Sequence, residues 1–244
     1  MSKRFGDLQV LDGVDLHIPA NKITFLIGRS GEGKSVTIKH MIGLMKPDSG
    51  EIYVDGKRLS ALQSDKELRE HRKKFGLLFQ HSALFDNMDV LNNVCFPIRE
   101  LEPDLPDTIV EQRAIDCLSK VEMNKMLDRF PNELSTGEKK RAGLARALAS
   151  EPKILLYDEP TTGIDPLLCE TVDRLIVKIN NDSPSVSSVV ISHDIKAALA
   201  IAEKIIMLHH GKVILAGDAE TFRRSDNPVV RQFLSGKISQ ASAF

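Results

Sequence analysis

The run Ile23-Thr-Phe-Leu-Ile27 followed by Gly28-Arg-Ser-Gly-Glu-Gly-Lys-Ser35 restricts the fold more than any other feature of the chain. Five apolar or β-prone residues lead into a glycine-rich loop, and from Lys34 to Leu44 apolar residues recur at helical spacing. That order reads as strand, loop and helix, the opening of a parallel α/β layer. The loop satisfies G-x-x-x-x-G-K-[ST] where the chemistry requires it, after a strand and before a helix. Gly28, Gly31 and Gly33, with Arg29 and Ser30 between them, let backbone N–H groups curl around phosphate oxygens. The helix that carries Val36 in its first turn adds the positive end of its dipole. Lys34 is expected to pair with β and γ oxygens and the Ser35 hydroxyl to ligate Mg²⁺. An ordinary tight turn is the competing reading of the glycines, and the complete pattern disfavours it. Glu32 is unusual, because it sets a carboxylate beside an anionic ligand; since only the backbone is needed there, its side chain is expected to point outward.

A phosphate loop needs a second carboxylate for the metal, and Ile154-Leu-Leu-Tyr-Asp158-Glu159 supplies one at the end of an apolar strand. Alone, an Asp-Glu pair after a strand is usually a solvated strand end. Beside a phosphate loop, Asp158 is placed to reach Mg²⁺ through water, and Glu159 to orient or deprotonate the attacking water.

The rest of the chain fills in an α/β protein with additions. Ile52, Tyr53 and Val54 meet an Asp55-Gly56 turn signal, which predicts a hairpin in a small antiparallel sheet flanking the parallel one. Pro97, Pro103 and Pro106 mark an irregular stretch, and helices are expected over about 108–121 and 136–149, so residues 80–150 read as a helical insertion. Ile154 to Tyr157 and Ser188 to Ser192 look like buried parallel strands. Residues Asp194 to Leu208 place Ile195, Ala198, Leu199, Ala202, Ile205 and Ile206 on one helical face before passing into a strand, and IIMLHHGKVILAG reads as a hairpin turning at Gly211. The histidines other than His193, including the His209-His210 pair, lack metal-ligand spacing and read as surface residues, and Lys139-Lys140-Arg141 as a solvated helix face. Beyond Pro228 only QFL offers apolar anchors, and the last ten residues are expected to be mobile.

Composition enters as an exclusion. With 33 Lys and Arg against 34 Asp and Glu in 244 residues, the net charge of −1 gives no electrostatic reason to expect nucleic-acid binding. Three widely spaced cysteines, at 95, 117 and 169, form no CxxC pair or disulfide framework and read as reduced thiols. The chain shows no signal peptide and no apolar run long enough to span a membrane, so any service to a membrane is expected to pass through a partner.

With Leu134-Ser-Thr-Gly-Glu138 followed by KKRAGLARALASEPKILLYDEP, the sequence resembles the nucleotide-binding subunits of ATP-binding cassette (ABC) transporters over essentially its whole length. The resemblance implies a P-loop NTPase fold with a flanking antiparallel sheet and an inserted helical subdomain, and ATP and Mg²⁺ as cofactors. It implies that Phe5 stacks on adenine, that Gln80 in LLFQ senses the metal and the membrane partner, and that Asp165 in TTGID lies in the loop crossing to a second subunit. It further implies that His193 in ISHD contacts the γ-phosphate, and that Ser135 and Gly137 reach the nucleotide of the opposite subunit. Lys34, Glu159 and His193 are then the catalytic set, and Ser35, Gln80 and Asp158 the metal set. Two copies sandwich two ATP molecules head to tail, so a single subunit holds half of each site. A soluble cassette ATPase acting on ribosomes or DNA would show two cassettes or coiled-coil insertions, and a non-catalytic regulator would lack Glu159 or His193; neither description fits.

GRSGEGKSV, KHMIGLMKPDSGEI, HDIKAALAIAEKIIMLHHGKV and NPVVRQFLSGK are similar to the ATPase subunits of Mla-like, MCE-associated phospholipid transporters. This narrower resemblance implies a permease partner, an MCE-type substrate-binding protein, a small accessory subunit and a place on the cytoplasmic face of the inner membrane. Amino-acid importer ATPases share most of the scaffold. On this reading residues 1–225 form the cassette and 226–244 a C-terminal tail that packs on the partner subunit. The signature departs from the family at Thr136, where Gly is usual, and at Glu138, where Gln is common. Because a β-branched residue disfavours positive φ, Thr136 requires an ordinary helical start there. Thr136→Gly should therefore alter ATP affinity or turnover in the assembled transporter without abolishing hydrolysis; an ATPase assay in which both stay the same would refute a tuning role.

Overall fold

In the computed structural model, which describes residues 1–235 and leaves aside the side chains at 166 and 167, the chain begins with β1 (Lys3–Phe5) and β2 (Leu8–Leu11). β3 (Ile23–Ile27), α1 (Lys34–Met41), β4 (Tyr53–Val54), β5 (Lys57–Arg58), α2 (Asp65–Arg72) and β6 (Phe75–Leu78) follow. Three helices come next: α3 (Val90–Leu101), α4 (Asp107–Lys120) and α5 (Thr136–Leu148). The remainder alternates: β7 (Ile154–Asp158), α6 (Pro166–Asp182), β8 (Ser187–Ser192), α7 (Ile195–Ile201), β9 (Lys204–His209), β10 (Lys212–Gly217), α8 (Ala219–Arg223) and α9 (Pro228–Leu234).

Six strands form the main sheet in the order β10-β9-β3-β8-β7-β6, parallel except where β10 returns antiparallel to β9. The register sets the site. Ile27 lies opposite Ser192 and Met207, and Asp158 opposite Ile191, so the loops leaving β3, β7 and β8 emerge side by side at one edge. Ligands of open α/β sheets bind at such carboxyl ends. All residues of β3 and β8 are buried, as strands covered on both faces must be. Phe25, Ile27, Tyr157 and Val190 face a core shared with the helices of the insertion, while Leu26, Leu156, Val189 and Ile191 face a second core with Ile38 of α1 and Ile42 at its C-cap.

The expected flanking antiparallel structure is present as two ribbons, β1-β2 and β4-β5. The Asp55-Gly56 turn is present, with φ of 54° and 71° at its two residues, the left-handed pair that a tight hairpin requires. Between β6 and β7, α3, α4 and α5 pack on one another, and α5 also packs on β6.

Three expectations are corrected here. Pro97 lies inside α3 and does not break an irregular stretch. Its missing N–H costs one helical hydrogen bond, but Val90, Val94, Cys95 and Ile98 of the same helix are fully buried, and that packing outweighs local propensity. The helix after Asp194 ends at Ile201, and Ile205 and Ile206 belong to β9; a run buried beside β3 has no polar face to sustain a helical stripe. His40 and His71 are buried rather than surface residues, with His40 Nδ1 2.7 Å from the Val36 carbonyl and His71 Nε2 2.9 Å from that of Met41.

The C-terminal QFL is not the sole anchor, because Val230 of α9 is fully buried alongside Phe233. Asn227 caps this helix by accepting from Val229 N at 2.9 Å. Residues 236–244 of the expected tail lie outside the described residues. Phe233→Ala is expected to lower the unfolding free energy by about 3 kcal/mol. A urea titration showing a loss below about 1 kcal/mol would mean that α9 unfolds apart from the core.

Candidate functional site

The glycine-rich loop joins β3 to α1 and needs its glycines for specific reasons. Gly33, the N-cap of α1, has φ 92°, and a Cβ there would stand 2.5 Å from Leu11 Cδ2 and 3.0 Å from the Val10 carbonyl. The position therefore excludes any side chain, both by conformation and by the approach of β2. The Lys34 ammonium, 6% exposed, donates to the carbonyls of Gly28 (2.8 Å) and Arg29 (3.0 Å) and lies 3.5 Å from Glu159 Oε1. Burial pushes it below the ordinary lysine value, and Glu159 opposes that shift. Ser35 Oγ donates to Asp158 Oδ1 at 3.2 Å. Burial raises the Asp158 carboxyl, with the Ser35 hydrogen bond pulling the other way.

Glu159 joins the three loops at the sheet edge. Its backbone is left-handed at φ 50°, a conformation that costs a non-glycine residue on the order of 1 kcal/mol or more, and its N–H donates to the Ile191 carbonyl at 3.0 Å. The side chain lies 2.7 Å from His193 Nδ1 and accepts from Thr162 Oγ1 at 3.2 Å. Ser30, Gly31, Gly33, Lys34, Ser35, Val36, Gln80, Glu159 and His193 line one cleft of about 310 Å³, together with Val10 and Thr162. A larger cavity of about 920 Å³, between residues 13–21 and the β4-β5 ribbon, contains no residue of the phosphate loop. Chemistry rather than size marks the functional cleft.

Hard oxygen donors at Ser35 and Asp158 suit Mg²⁺, which takes one or two protein ligands and completes its shell with phosphate and water. The left-handed glycines at 31 and 33, directly before the N-terminus of α1, suit a phosphate chain. The donor set thus fits a Mg²⁺-nucleotide.

Other candidates stand outside this cleft. Phe5 is 45% exposed on β1, with the Lys3 ammonium over its ring, 5.6 Å from the centroid. Arg29 points away, its guanidinium 3.5 Å from Gln232 of α9, and Gly28 packs against Leu208. Ser135 caps α5, with its hydroxyl and N–H both 2.7 Å from Glu138 Oε2. Glu138 thereby completes a capping box, and Thr136 takes an ordinary helical start as the first residue of α5. Gly137 is buried, a Cβ there standing 3.2 Å from Leu168, and Asp165 accepts from Leu168 N at 3.1 Å ahead of α6. Ser135, Gly137 and Asp165 do not reach the cleft of their own chain.

Two further expectations are overturned. Glu32 is 8% exposed and does not point outward: it turns to the β9-β10 turn, 3.1 Å from His209 Nδ1 and accepting the His210 N–H, which leaves His209 partly buried. Backbone curvature fixes the direction of its Cβ, and the turn supplies the donors. Lys140, read as part of a solvated face, is 2% exposed and donates to the Gln80 carbonyl at 2.8 Å and that of Glu159 at 3.3 Å. It thus ties the loop after β6 to the loop after β7. Sequence gave no sign of this, because a lysine in a charged run looks the same on either side of a helix. Thr162, also missed, was within reach through its place in TTGID.

The family described as ABC transporter matches residues 11–162. A Mycobacterium tuberculosis protein named as a probable ribonucleotide transport ATP-binding protein, mkl, is 39% identical over 97% of this chain, which spans 65% of that protein's length. The Escherichia coli intermembrane phospholipid transport system ATP-binding protein MlaF is 37% identical over 95% of the chain and 85% of its own length. Among solved structures, a dimeric ATP-binding cassette in a post-hydrolysis state with ADP and Pi superposes with TM-score 0.79 at 32% identity, covering 89% of this chain and 95% of the other. The cbiO1 subunit of Clostridium perfringens gives TM-score 0.82 at 27% identity, over 97% and 96%.

Lys140→Met keeps the packed stem but strips two carbonyls of a charged donor. It should lower the unfolding free energy by about 2 kcal/mol, read as a reduced urea midpoint with an unchanged slope.

Proposed function

Because the chain belongs to the ABC transporter family of ATP-binding cassettes, we propose that it is the ATP-hydrolysing subunit of a transporter that moves phospholipids between the inner and outer membranes of a bacterial envelope. The observation that carries the ATPase reading is the position of Glu159, 2.7 Å from His193 and 3.5 Å from the phosphate-loop lysine, on the residue after the Asp158 that meets Ser35.

In this reading the loop N–H groups and Lys34 hold the β and γ phosphates, and Phe5 stacks on the base. Ser35 and Asp158, with Gln80 at the cleft wall, would hold Mg²⁺, which would supply charge neutralisation at the phosphate oxygens. The Glu159 carboxylate orients the attacking water and accepts its proton. His193, 60% exposed, keeps its ring against the carboxylate and offers the rest to the γ-phosphate. Ser135, exposed at the N-cap of a 13-residue helix, and Gly137 in its first turn serve the nucleotide of a second copy, and Asp165 lies at the crossing between copies. Closure of that dimer is the movement transmitted to the membrane.

The partners are a permease, a second copy of this chain, an MCE-type substrate-binding protein and a small accessory subunit, with no nucleic acid. No helix among the described residues is long and apolar enough to cross a membrane, so attachment to the cytoplasmic face of the inner membrane runs through the permease. Coverage of 95% of this chain and 85–87% of the MlaF proteins supports the phospholipid reading over an importer of amino acids or other small solutes.

Glu159→Gln should leave ATP affinity within about threefold, favour the closed dimer and lower turnover by ~10²-fold or more. Normal turnover in that variant would remove Glu159 as the base. Isolation of the complex from native membranes should bring down a permease with bound phospholipid; a solute importer in its place would overturn the substrate.

A further inference from the structure

The phosphate loop and the β9-β10 turn meet at three side chains that the nucleotide cleft does not use. Glu32 Oε1 lies 3.1 Å from His209 Nδ1, while Glu32 Oε2 accepts the His210 N–H. The rings of His209 and His210 sit 4.0 Å apart, centroid to centroid, and one donor atom from each of the three residues falls within 4.8 Å of the others. We propose that Glu32, His209 and His210 form a binding site for a late first-row divalent cation of the Zn²⁺ or Ni²⁺ class, separate from the Mg²⁺ position at Ser35 and Asp158.

Donor chemistry selects the ion. Two imidazoles and one carboxylate suit zinc and nickel, whereas Mg²⁺ prefers oxygen alone. Spacing agrees: metal–ligand bonds of about 2.0–2.1 Å in a tetrahedron set neighbouring ligand atoms roughly 3.3 Å apart. The 3.1 Å between Glu32 and His209 is already close to one edge of such a site. His210 is exposed at the turn, so its ring can rotate to close the remaining edges without disturbing the core. Three protein ligands leave a fourth position for water, as in other three-ligand zinc sites. The second carboxylate oxygen is held by the His210 N–H, the kind of outer contact that orients a ligating carboxylate.

The frame beneath the site is fixed. Asp12 N donates to the Gly211 carbonyl at 2.8 Å, Lys212 pairs with Asp12 at 3.0 Å, and a Cβ at Gly28 would stand 2.6 Å from the Leu208 carbonyl. The turn bearing the histidines is therefore tied to the end of β2, and Gly28, where the loop bearing the glutamate begins, packs against the strand that precedes the turn. A cation here links the phosphate loop to the hairpin 177 residues away in sequence and neutralises a carboxylate close to the nucleotide phosphates. The competing state is the present one, a Glu32–His209 hydrogen bond without a metal.

Calorimetric titration of the full chain with Zn²⁺, nucleotide-free and in excess Mg²⁺, separates the two. One ion per chain is expected, with affinity at least tenfold weaker in His210→Asn, which suits the positive φ of 47°, and in Glu32→Gln. Cys169→Ser, which alters the one half-buried thiol, should leave binding unchanged. Co²⁺ absorption should report nitrogen and oxygen ligation with no thiolate band. Absence of saturable binding, equal affinity in folded His210→Asn, or a thiolate band would overturn the site.

Discussion

The parallel pairing of β3 with β8 and of β8 with β7 is the constraint on which the rest of the molecule depends. These strands are buried on both faces, so a slip in register would drive side chains from one core into the other. With register fixed, Ile27, Asp158 and Ser192 end at the same sheet edge. The residues that follow them, a phosphate loop, a carboxylate and a histidine, are then neighbours in space although they are far apart in the chain. No side chain had to be steered individually over that distance.

Glu159 shows how local strain is held by this framework. Its left-handed backbone is kept by an N–H to the Ile191 carbonyl and by Lys140 on its own carbonyl, while its carboxylate meets Lys34, His193 and Thr162. A buried lysine on a helix of the insertion thereby touches the backbone of both the Gln80 loop and the Glu159 loop. Movement of the insertion relative to the sheet cannot leave these two loops unaffected. The cleft and the helical layer are mechanically joined by hydrogen bonds to main-chain carbonyls, which persist whatever side chains occupy the loops.

The N-terminus of α5 completes the picture at a distance. Ser135 and Glu138 cap each other, so the departure of the fifth signature residue from glutamine to glutamate keeps a capping group and gains a charge suited to a helix N-terminus. Thr136 is compatible because that position is ordinary helix. The N-terminal end of α5 lies apart from the cleft of its own chain.

The phosphate loop, the Asp158-Glu159 strand end, the Asp55-Gly56 turn and the second and third helices of the insertion, α4 and α5, were legible in the sequence because each depends on local chemistry: glycine conformations, caps and hydrophobic period. Pro97 inside α3 and the early end of α7 were not, since burial against other elements overrode local preference. Glu32, Lys140 and His209 were misread for the same reason. Whether a charged side chain faces water depends on what lies across from it, and here the partners are 177, 60 and 19 residues away. The sequence by itself determined the phosphate-loop motif and the layered fold, because those rest on patterns within a few residues. Only the tertiary structure decided which charges are buried, which loops are tied together and which donors converge beside the phosphate loop, because those depend on contacts between segments that chain order does not relate.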